Sequence, residues 1–225
     1  MTHVLLSSEP VATSISGAVA FRIRYRSHDL KGNATESTGL VIAPATAGEN
    51  RKVVSWAHGT TGSAQNCGPS QVVDPAAPLN EYFLVGGNSW TDYGIPVMEE
   101  FLKEGYVLVA TDYQGLGGGG RHQYSVAATN GMDTLNAARA AASMQETGAN
   151  RKTLVYGWSQ GGGAAIALAG MPDYIKQTGT AADNLDIVGF VAVAPQDISI
   201  LVPGGKPECT PGSRVHRVPF AGTGK

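Results

Sequence analysis

The sequence is poor in charge and in cysteine, and it contains no long apolar run. Lys, Arg, Asp and Glu make up 15% of the 225 residues, and the formal net charge is −2. Electrostatics therefore gives no reason to expect a nucleic acid or an anionic membrane as a partner. No run of about 18 apolar residues predicts a transmembrane helix. The first residues, MTHVLLSSEPVATS, lack the positive start and the apolar stretch of a signal peptide.

Few residues are available for disulfides or metal binding. The two cysteines, Cys67 and Cys209, permit one disulfide without requiring it. They therefore do not indicate whether the protein works in an oxidising or a reducing compartment. No cluster of His, Cys and Asp has the spacing of metal ligands. Neither glycine-rich stretch carries the Gly-Lys-Ser/Thr of a phosphate-binding loop. The sequence therefore predicts a protein without a metal ion or a cofactor.

Apolar runs and helical stretches alternate along the middle of the chain. Four runs do not alternate with polar residues, as is typical of strands buried on both faces of a parallel sheet: 52–59, 106–112, 153–159 and 187–195. Helices are predicted at 96–105 and 125–145, and a leading antiparallel pair at 18–29 and 36–44. This order predicts an α/β fold with a mostly parallel central sheet flanked by helices. The predicted domain covers residues 1–202, and a Gly/Pro-rich tail without clear structure covers 203–225.

The stretch GWSQG places Ser159 between Gly157 and Gly161, where a strand ends and a helix begins. A G-x-S-x-G in this context is a nucleophile elbow, a turn so sharp that side chains two positions either way would clash. It directs the serine hydroxyl to the top of the sheet, at the positive end of a helix. The backbone N–H of Gln160 would then point at the oxyanion of a tetrahedral intermediate. The pattern predicts Ser159 as a catalytic nucleophile.

The earlier strand ends in SWAHGTTG, which is a second candidate part of the site. In hydrolases with an elbow, the loop after the third strand supplies the other oxyanion-hole N–H. Thr60 is the first candidate for this donor and Thr61 the second. His58 precedes the serine in the chain, so it is interpreted as a structural histidine that holds the loop.

Gly115, Gly117 and Gly120 form a G-x-G-x-x-G after the strand at 106–112, which would suit a dinucleotide. That motif also needs an acidic residue at the end of the next strand. The next strand ends in Gly157, Trp158 and Ser159, so a dinucleotide site is not expected. The glycine run is better interpreted as a wall of the active site.

Three stretches together resemble the secretory-lipase group of α/β-hydrolases: SWAHGTTGSAQNCGPS, ATDYQGLGGGGRHQY and VYGWSQGGGAA. The resemblance runs from about Ala18 to Leu201. It implies an α/β-hydrolase fold and a serine carboxylester hydrolase, lipase- or esterase-like, that acts on a lipid or small-molecule acyl ester. It further implies an acyl-enzyme on Ser159, a secreted or periplasmic location, and a disulfide at Cys67.

The other members of a Ser-His-Asp triad are difficult to place. The acid and the histidine should follow the serine, and His216 is the only histidine downstream. In one reading Asp197, just past the sixth predicted strand, acts with His216. In the other the chain is truncated, because no pattern for a seventh or eighth strand follows Leu201. The second reading is favoured, since a Gly/Pro-rich coil without an apolar period holds a histidine against a serine poorly.

Two further functions stay open. One is a hydrolase remnant that lacks the triad acid and base; the other is an acyltransferase or peptidase on the same scaffold. If the strand at 187–195 ends the sheet, it presents an uncharged edge on which a second copy of the chain would pair.

Overall fold

The computed structural model describes residues 4–71, 94–176 and 185–196, which form one mixed sheet with helices on both faces. The strand order is β1-β2-β3-β5-β4-β6-β7. The strands are β1 (Leu5–Val11), β2 (Ala18–His28), β3 (Ala34–Pro44), β4 (Arg51–Ala57), β5 (Val107–Thr111), β6 (Ala149–Trp158) and β7 (Asp186–Val193). The α-helices are α1 (Met98–Lys103), α2 (Ala127–Ala142), α3 (Gln160–Ala169) and α4 (Pro172–Lys176).

The sheet has a parallel half and an antiparallel half. Strands β5, β4, β6 and β7 are parallel neighbours, which confirms the parallel sheet predicted from their apolar runs. Strands β1, β2 and β3 are antiparallel, and β3 also pairs antiparallel with β5. Over all seven described strands the sheet is therefore mixed rather than mostly parallel.

Strand β1 was not predicted from the sequence. Its residues LLSSEPV include an exposed Ser-Ser-Glu-Pro stretch, and proline within a run argues against a strand except at the edge of a sheet. β1 is such an edge strand, paired only with β2 among the described residues. Because β1 comes first in the chain, the run at 187–195, which is the sixth strand predicted from the sequence, is the seventh strand of the structure, β7.

The central strands are buried on both faces, as their composition indicates. Every residue of β5 is buried, and in β4 only Lys52 is exposed. Val53 packs on one face with residues of α2 and α3, while Val54 packs on the other face with Met98 of α1. Helices on both faces therefore cover the parallel half of the sheet, as in a doubly wound fold.

Both predicted helices are present with slightly shorter bounds. The stretch at 125–145 forms α2, which is buried from Thr129 to Ala141 because its many alanines let it lie close to the sheet. The stretch at 96–105 forms α1, and Gly105 follows it with a φ of +81° that suits a helix stop. The parallel strands all end at one edge of the sheet, where ligands bind in such folds. The predicted tail at 203–225 lies outside the described residues.

Candidate active site

Ser159 lies on a single-residue turn between β6 and α3. Its φ of 54° and ψ of −116° are strained for a residue with a side chain. The Ser159 N–H donates to the Val193 carbonyl at 3.0 Å, and the Gln196 N–H donates to the Ser159 carbonyl at 2.8 Å. These two bonds tie the turn to the end of β7 and hold the strained backbone in place.

The glycines around Ser159 occupy positions where a side chain does not fit. A Cβ on Gly157 would lie 2.1 Å from the Gly161 carbonyl oxygen, inside the turn itself. A Cβ on Gly161 would lie 1.8 Å from the Ala57 carbonyl oxygen at the end of β4, and one on Gly162 would lie 2.8 Å from the Val193 carbonyl oxygen. Gly157 therefore permits the turn, whereas Gly161 and Gly162 let α3 approach the ends of two strands.

The first turn of α3 presents backbone donors at the edge of the sheet. The first bond of this helix runs from the Gly163 N–H to the Ser159 carbonyl at 3.0 Å. The N–H groups of Gln160, Gly161 and Gly162 precede it and have no partner within the helix. They lie at the positive end of the helix dipole, which favours negative charge next to Ser159.

The loop after β4 is held by His58, which is fully buried. Its Nδ1 lies 2.7 Å from the Gly59 carbonyl oxygen, and its ring packs 4.4 Å from the ring of Tyr113. The Tyr113 hydroxyl donates to the His58 carbonyl at 2.9 Å. Burial lowers the pKa of His58 to about 4, against smaller opposing effects of backbone hydrogen bonds. A neutral, enclosed imidazole suits a structural role in the loop.

Of the two candidate donors in this loop, Thr60 lies opposite the Ser159 turn. Its Oγ1 is 3.5 Å from the Gln160 Oε1 and 3.2 Å from the Tyr124 hydroxyl. Thr61 has a buried Oγ1 with no hydrogen-bond partner among the described residues. The structure therefore brings Thr60 and Gln160, which are 100 residues apart in the chain, to one place.

Asp112, at the end of β5, anchors the far side of the same loop. It is fully buried and accepts hydrogen bonds from the backbone N–H of Ser70 at 2.8 Å, from the Ser70 hydroxyl at 2.5 Å and from the Thr38 hydroxyl at 2.5 Å. Burial raises its pKa, and these hydrogen bonds lower it. The sequence contains TDYQG at this point, but no local pattern predicts that Asp112 would accept hydrogen bonds from Ser70 and Thr38, which lie 42 and 74 positions earlier.

The glycine-rich loop after β5 packs against protein rather than around a nucleotide. A Cβ on Gly117 would lie 2.3 Å from the Thr38 Oγ1, and one on Gly115 would lie 2.0 Å from the His122 backbone nitrogen. The next helix, α2, begins only at Ala127, so these glycines do not open a helix as a dinucleotide motif requires. The loop instead returns to the site and brings His122 and Tyr124 to it.

His122 was not identified as a site residue from the sequence. Its Nδ1 lies 3.0 Å from the Gln114 carbonyl oxygen, and its Nε2 lies 3.3 Å from the Gln160 Nε2. Burial lowers its pKa, opposed by the Gln114 carbonyl. The only local signal was its place in RHQY, directly after the glycine run.

A cavity of about 330 Å³ opens beside the Ser159 turn, between the starts of α2 and α3. Its surface is mostly apolar, and it is bounded by Ser125, Val126, Ala127, Ala128, Gln160, Gly163 and Gln196. It is therefore suited to an apolar group that is attached to an atom near Ser159.

Several predicted features lie outside the described residues. Asp197, His216 and Cys209 are outside them, so no triad and no disulfide is described. Within the described ranges, no three His, Cys, Asp or Glu side chains are grouped so as to hold a metal ion. In the same ranges, no helix has the length and apolar character needed to cross a membrane.

Comparisons with known proteins agree with this architecture. A model of the secretory lipase family matches residues 88–199, which include the β6–α3 turn but not the loop after β4. Lipase 1 of Candida albicans is 27% identical over 176 residues, which are 76% of this chain and 35% of that protein. The chain thus spans about a third of the length of this curated relative.

Solved structures share the fold at low sequence identity. Lipase A from Candida antarctica in its closed state is 22% identical with a TM-score of 0.61, covering 83% of this chain and 40% of its own. The ligand-bound rice cell wall degrading esterase LipA from Xanthomonas oryzae is 19% identical with a TM-score of 0.63, covering 85% and 50%. Together with the family match, these likenesses support an α/β-hydrolase of the secretory-lipase type, a lipase- and esterase-type hydrolase family.

Proposed function

We propose that the chain is a serine carboxylester hydrolase that works through an acyl-enzyme on Ser159. The observation that carries the proposal is the strained backbone of Ser159 at the start of α3, opposite the Thr60 loop. Strain of this kind persists only where the surroundings enforce it, and it concentrates at active sites. The names of the relatives, a lipase and an esterase, support the same class of reaction.

In the first step the Ser159 Oγ attacks the ester carbonyl carbon and loses its proton to a general base. The carbonyl electron pair moves onto oxygen, and the backbone N–H groups of Gln160 and Thr60 stabilise this oxyanion, with Thr61 as the alternative donor. When the oxyanion collapses, the C–O bond breaks and the alcohol leaves with the proton. Water then hydrolyses the acyl-enzyme by the same steps and releases the acid. In one of the two readings of the sequence, the base and the acid are His216 and Asp197.

The cavity between α2 and α3 is the proposed site for the acyl chain. It lies against Gln160 and Gly163 of the helix that begins at the nucleophile, and its apolar surface favours a hydrocarbon chain over a peptide backbone with its polar groups. We therefore propose a lipid or small-molecule acyl ester as the substrate. The proposed steps use no metal ion, so we expect EDTA to leave the activity unchanged.

The decisive test replaces Ser159. Ser159→Ala should abolish covalent labelling by a fluorophosphonate probe and lower p-nitrophenyl ester turnover at least 10³-fold, by the order of magnitude known for triad residues. Ser143→Ala, at an exposed serine after α2, is the matched control and should behave as the unmodified protein. Equal labelling of Ser159→Ala and the unmodified protein would contradict the proposal. An unmodified protein without turnover would favour the remnant, and transfer of the acyl group to an added alcohol or amine in preference to water would favour an acyltransferase.

A further inference from the structure

The two proposed oxyanion donors lie on separate segments, and one side chain connects them. Gln160 begins α3 and Thr60 lies in the loop after β4. The start of α3 packs on the end of β4 at Ala57, but Thr60 lies three residues further along the loop. The Gln160 side chain is 3% exposed and contacts Thr60 through Oε1 and His122 through Nε2. It is therefore a side-chain bridge between the Thr60 loop, the start of α3 and His122.

The direction of each hydrogen bond at this bridge follows from one carbonyl. The Gln114 carbonyl only accepts, so His122 Nδ1 carries a proton and donates to it at 3.0 Å. A neutral His122 then has an unprotonated Nε2, which accepts from the Gln160 amide nitrogen at 3.3 Å. Burial lowers the pKa of His122, which favours this neutral form.

This arrangement selects one of two orientations of the Gln160 amide. With its nitrogen on His122, the amide directs Oε1 to the Thr60 hydroxyl, which donates to it at 3.5 Å. Because that hydroxyl has one proton, the Tyr124 hydroxyl 3.2 Å away must donate to Thr60. The opposite orientation would place the amide oxygen against the lone pair of Nε2, which is repulsive.

His122 is itself held in place from two sides. Its ring stacks on Tyr113 with 6.2 Å between centroids and an angle of 23°. Gln114, whose carbonyl accepts this hydrogen bond, is held by a bond from its own N–H to the Asp133 carboxylate at 2.8 Å. Asp133 is buried within α2. The imidazole is therefore oriented by the body of the fold.

We propose that His122 is a positioning residue for the oxyanion site: its Nε2 orients the Gln160 side chain, which holds the Thr60 loop against the start of α3. This inference rests on the proposed function, since it assigns a role in the same reaction. His122 does not touch the substrate in this role, and it acts only through Gln160.

The test is a double-mutant cycle with a rescue variant. His122→Phe keeps a ring without an acceptor, and Gln160→Met keeps the length and the backbone N–H without the amide. Each should lower kcat for a p-nitrophenyl ester by about tenfold, as one lost hydrogen bond allows, with little change in KM because the oxyanion exists only after attack. The double variant should lose no more than either single variant, and His122→Gln, which keeps an uncharged acceptor, should recover most of kcat.

A spectroscopic measurement tests the contact without catalysis. Long-range ¹H–¹⁵N correlation on the unmodified protein should show His122 as the Nδ1–H tautomer, with the signal assigned by its loss in His122→Phe. Any of three results would overturn the proposal. The losses in kcat could multiply in the double variant, His122→Gln could be as impaired as His122→Phe, or His122 could be the Nε2–H tautomer. If turnover is absent or survives Ser159→Ala, the proposed function fails, and the tautomer still supports or overturns the His122–Gln160 contact.

Discussion

At the scale of single residues, backbone strain collects around the candidate site. Four described non-glycine residues with positive φ follow or precede elements at this edge of the sheet: Tyr113 after β5, Ser125 before α2, Ser159 after β6 and Ala194 after β7. Each such position costs of order 1–3 kcal/mol. The glycines beside Ser159 limit that cost by removing clashes that a Cβ would add.

A residue-scale prediction concerns Gly161. In Gly161→Ala the new Cβ would lie 1.8 Å from the Ala57 carbonyl oxygen, so α3 must move away from β4 and carry Ser159 with it. We expect a loss of about 2 kcal/mol or more in the free energy of unfolding, measured by urea denaturation, as for other overpacked sites. The control is Gly189→Ala in β7, where the Cβ would meet only a Leu154 methyl at 3.6 Å. Equal stability of the two variants would show that the turn does not need the close approach.

A second prediction at this scale uses the buried Asp133. Burial raises its pKa to about 6, while hydrogen bonds from Ser27 and the Gln114 N–H lower it. The native state then holds this proton more tightly than the unfolded state, so the contribution of Asp133 to stability is lost as pH rises from about 4 to about 6. Asn has no such proton, and its amide oxygen still accepts from Gln114. The stability of Asp133→Asn relative to the unmodified protein should therefore increase over this pH range.

Urea unfolding at pH 4.5 and pH 7 measures that difference for Asp133→Asn. The control is Asp29→Asn, at an exposed carboxyl whose pKa is lowered chiefly by the Asn33 side chain. A lowered carboxyl pKa makes the unmodified protein gain stability as pH rises, so the relative stability of Asp29→Asn should not increase with pH. A pH-independent difference for Asp133→Asn would contradict the raised pKa.

At the scale of elements, the site depends on where strands end and helices begin. Strands β4, β5 and β6 supply the Thr60 loop, the glycine-rich loop and the Ser159 turn at one edge of the sheet. Helices α2 and α3 pack beside each other on one face, and the cavity lies between their N-terminal ends. The pocket for an acyl chain is thus a consequence of helix packing rather than of a single loop.

The element-scale prediction fills this cavity. Val126→Trp adds a large ring at the start of α2, on the wall of the cavity. Turnover of long-chain p-nitrophenyl esters should fall at least tenfold relative to the acetyl ester, because steric exclusion grows with chain length. Val97→Trp, at an exposed position before α1, is the control and should leave the ratio unchanged. An unchanged ratio in Val126→Trp would show that the acyl chain binds elsewhere.

At the scale of the whole molecule, β7 ends the described sheet. It pairs with β6 on one side and with no other described strand. Val188 and Val191 of β7 are 60% and 40% exposed, and Asp186 is the only charged residue of the strand. An edge strand with so little charge pairs readily with a strand of another molecule, and we propose self-association of the chain through β7.

Sedimentation velocity over a range of concentrations tests this proposal. The unmodified protein should associate as its concentration rises, and Val188→Lys should shift it toward the monomer, because a charge on an edge strand opposes pairing. Val97→Lys, at a similarly exposed valine of the α1 region, should not. A monomer at every concentration would contradict the proposal.

The local pattern of the sequence was sufficient for the strands and for the turn at Ser159. Runs such as YVLVATD are apolar at every position because both faces of β5 are covered, and burial on both faces leaves that signature whatever the neighbours are. GWSQG likewise requires its glycines because of a clash within the turn itself. β1 was missed because an edge strand needs no such composition.

Only the tertiary structure determined which residues meet at the site. The His122–Gln160 contact joins positions 38 apart, and Asp112 holds a residue 42 positions earlier. Such pairings follow from the strand order, in which β4 lies between β5 and β6. A local pattern reports periodicity and turn geometry, whereas the contact between two distant side chains depends on how every element between them packs. The sequence by itself therefore determined the elements and the Ser159 turn, and the packing of the sheet decided which side chains surround it.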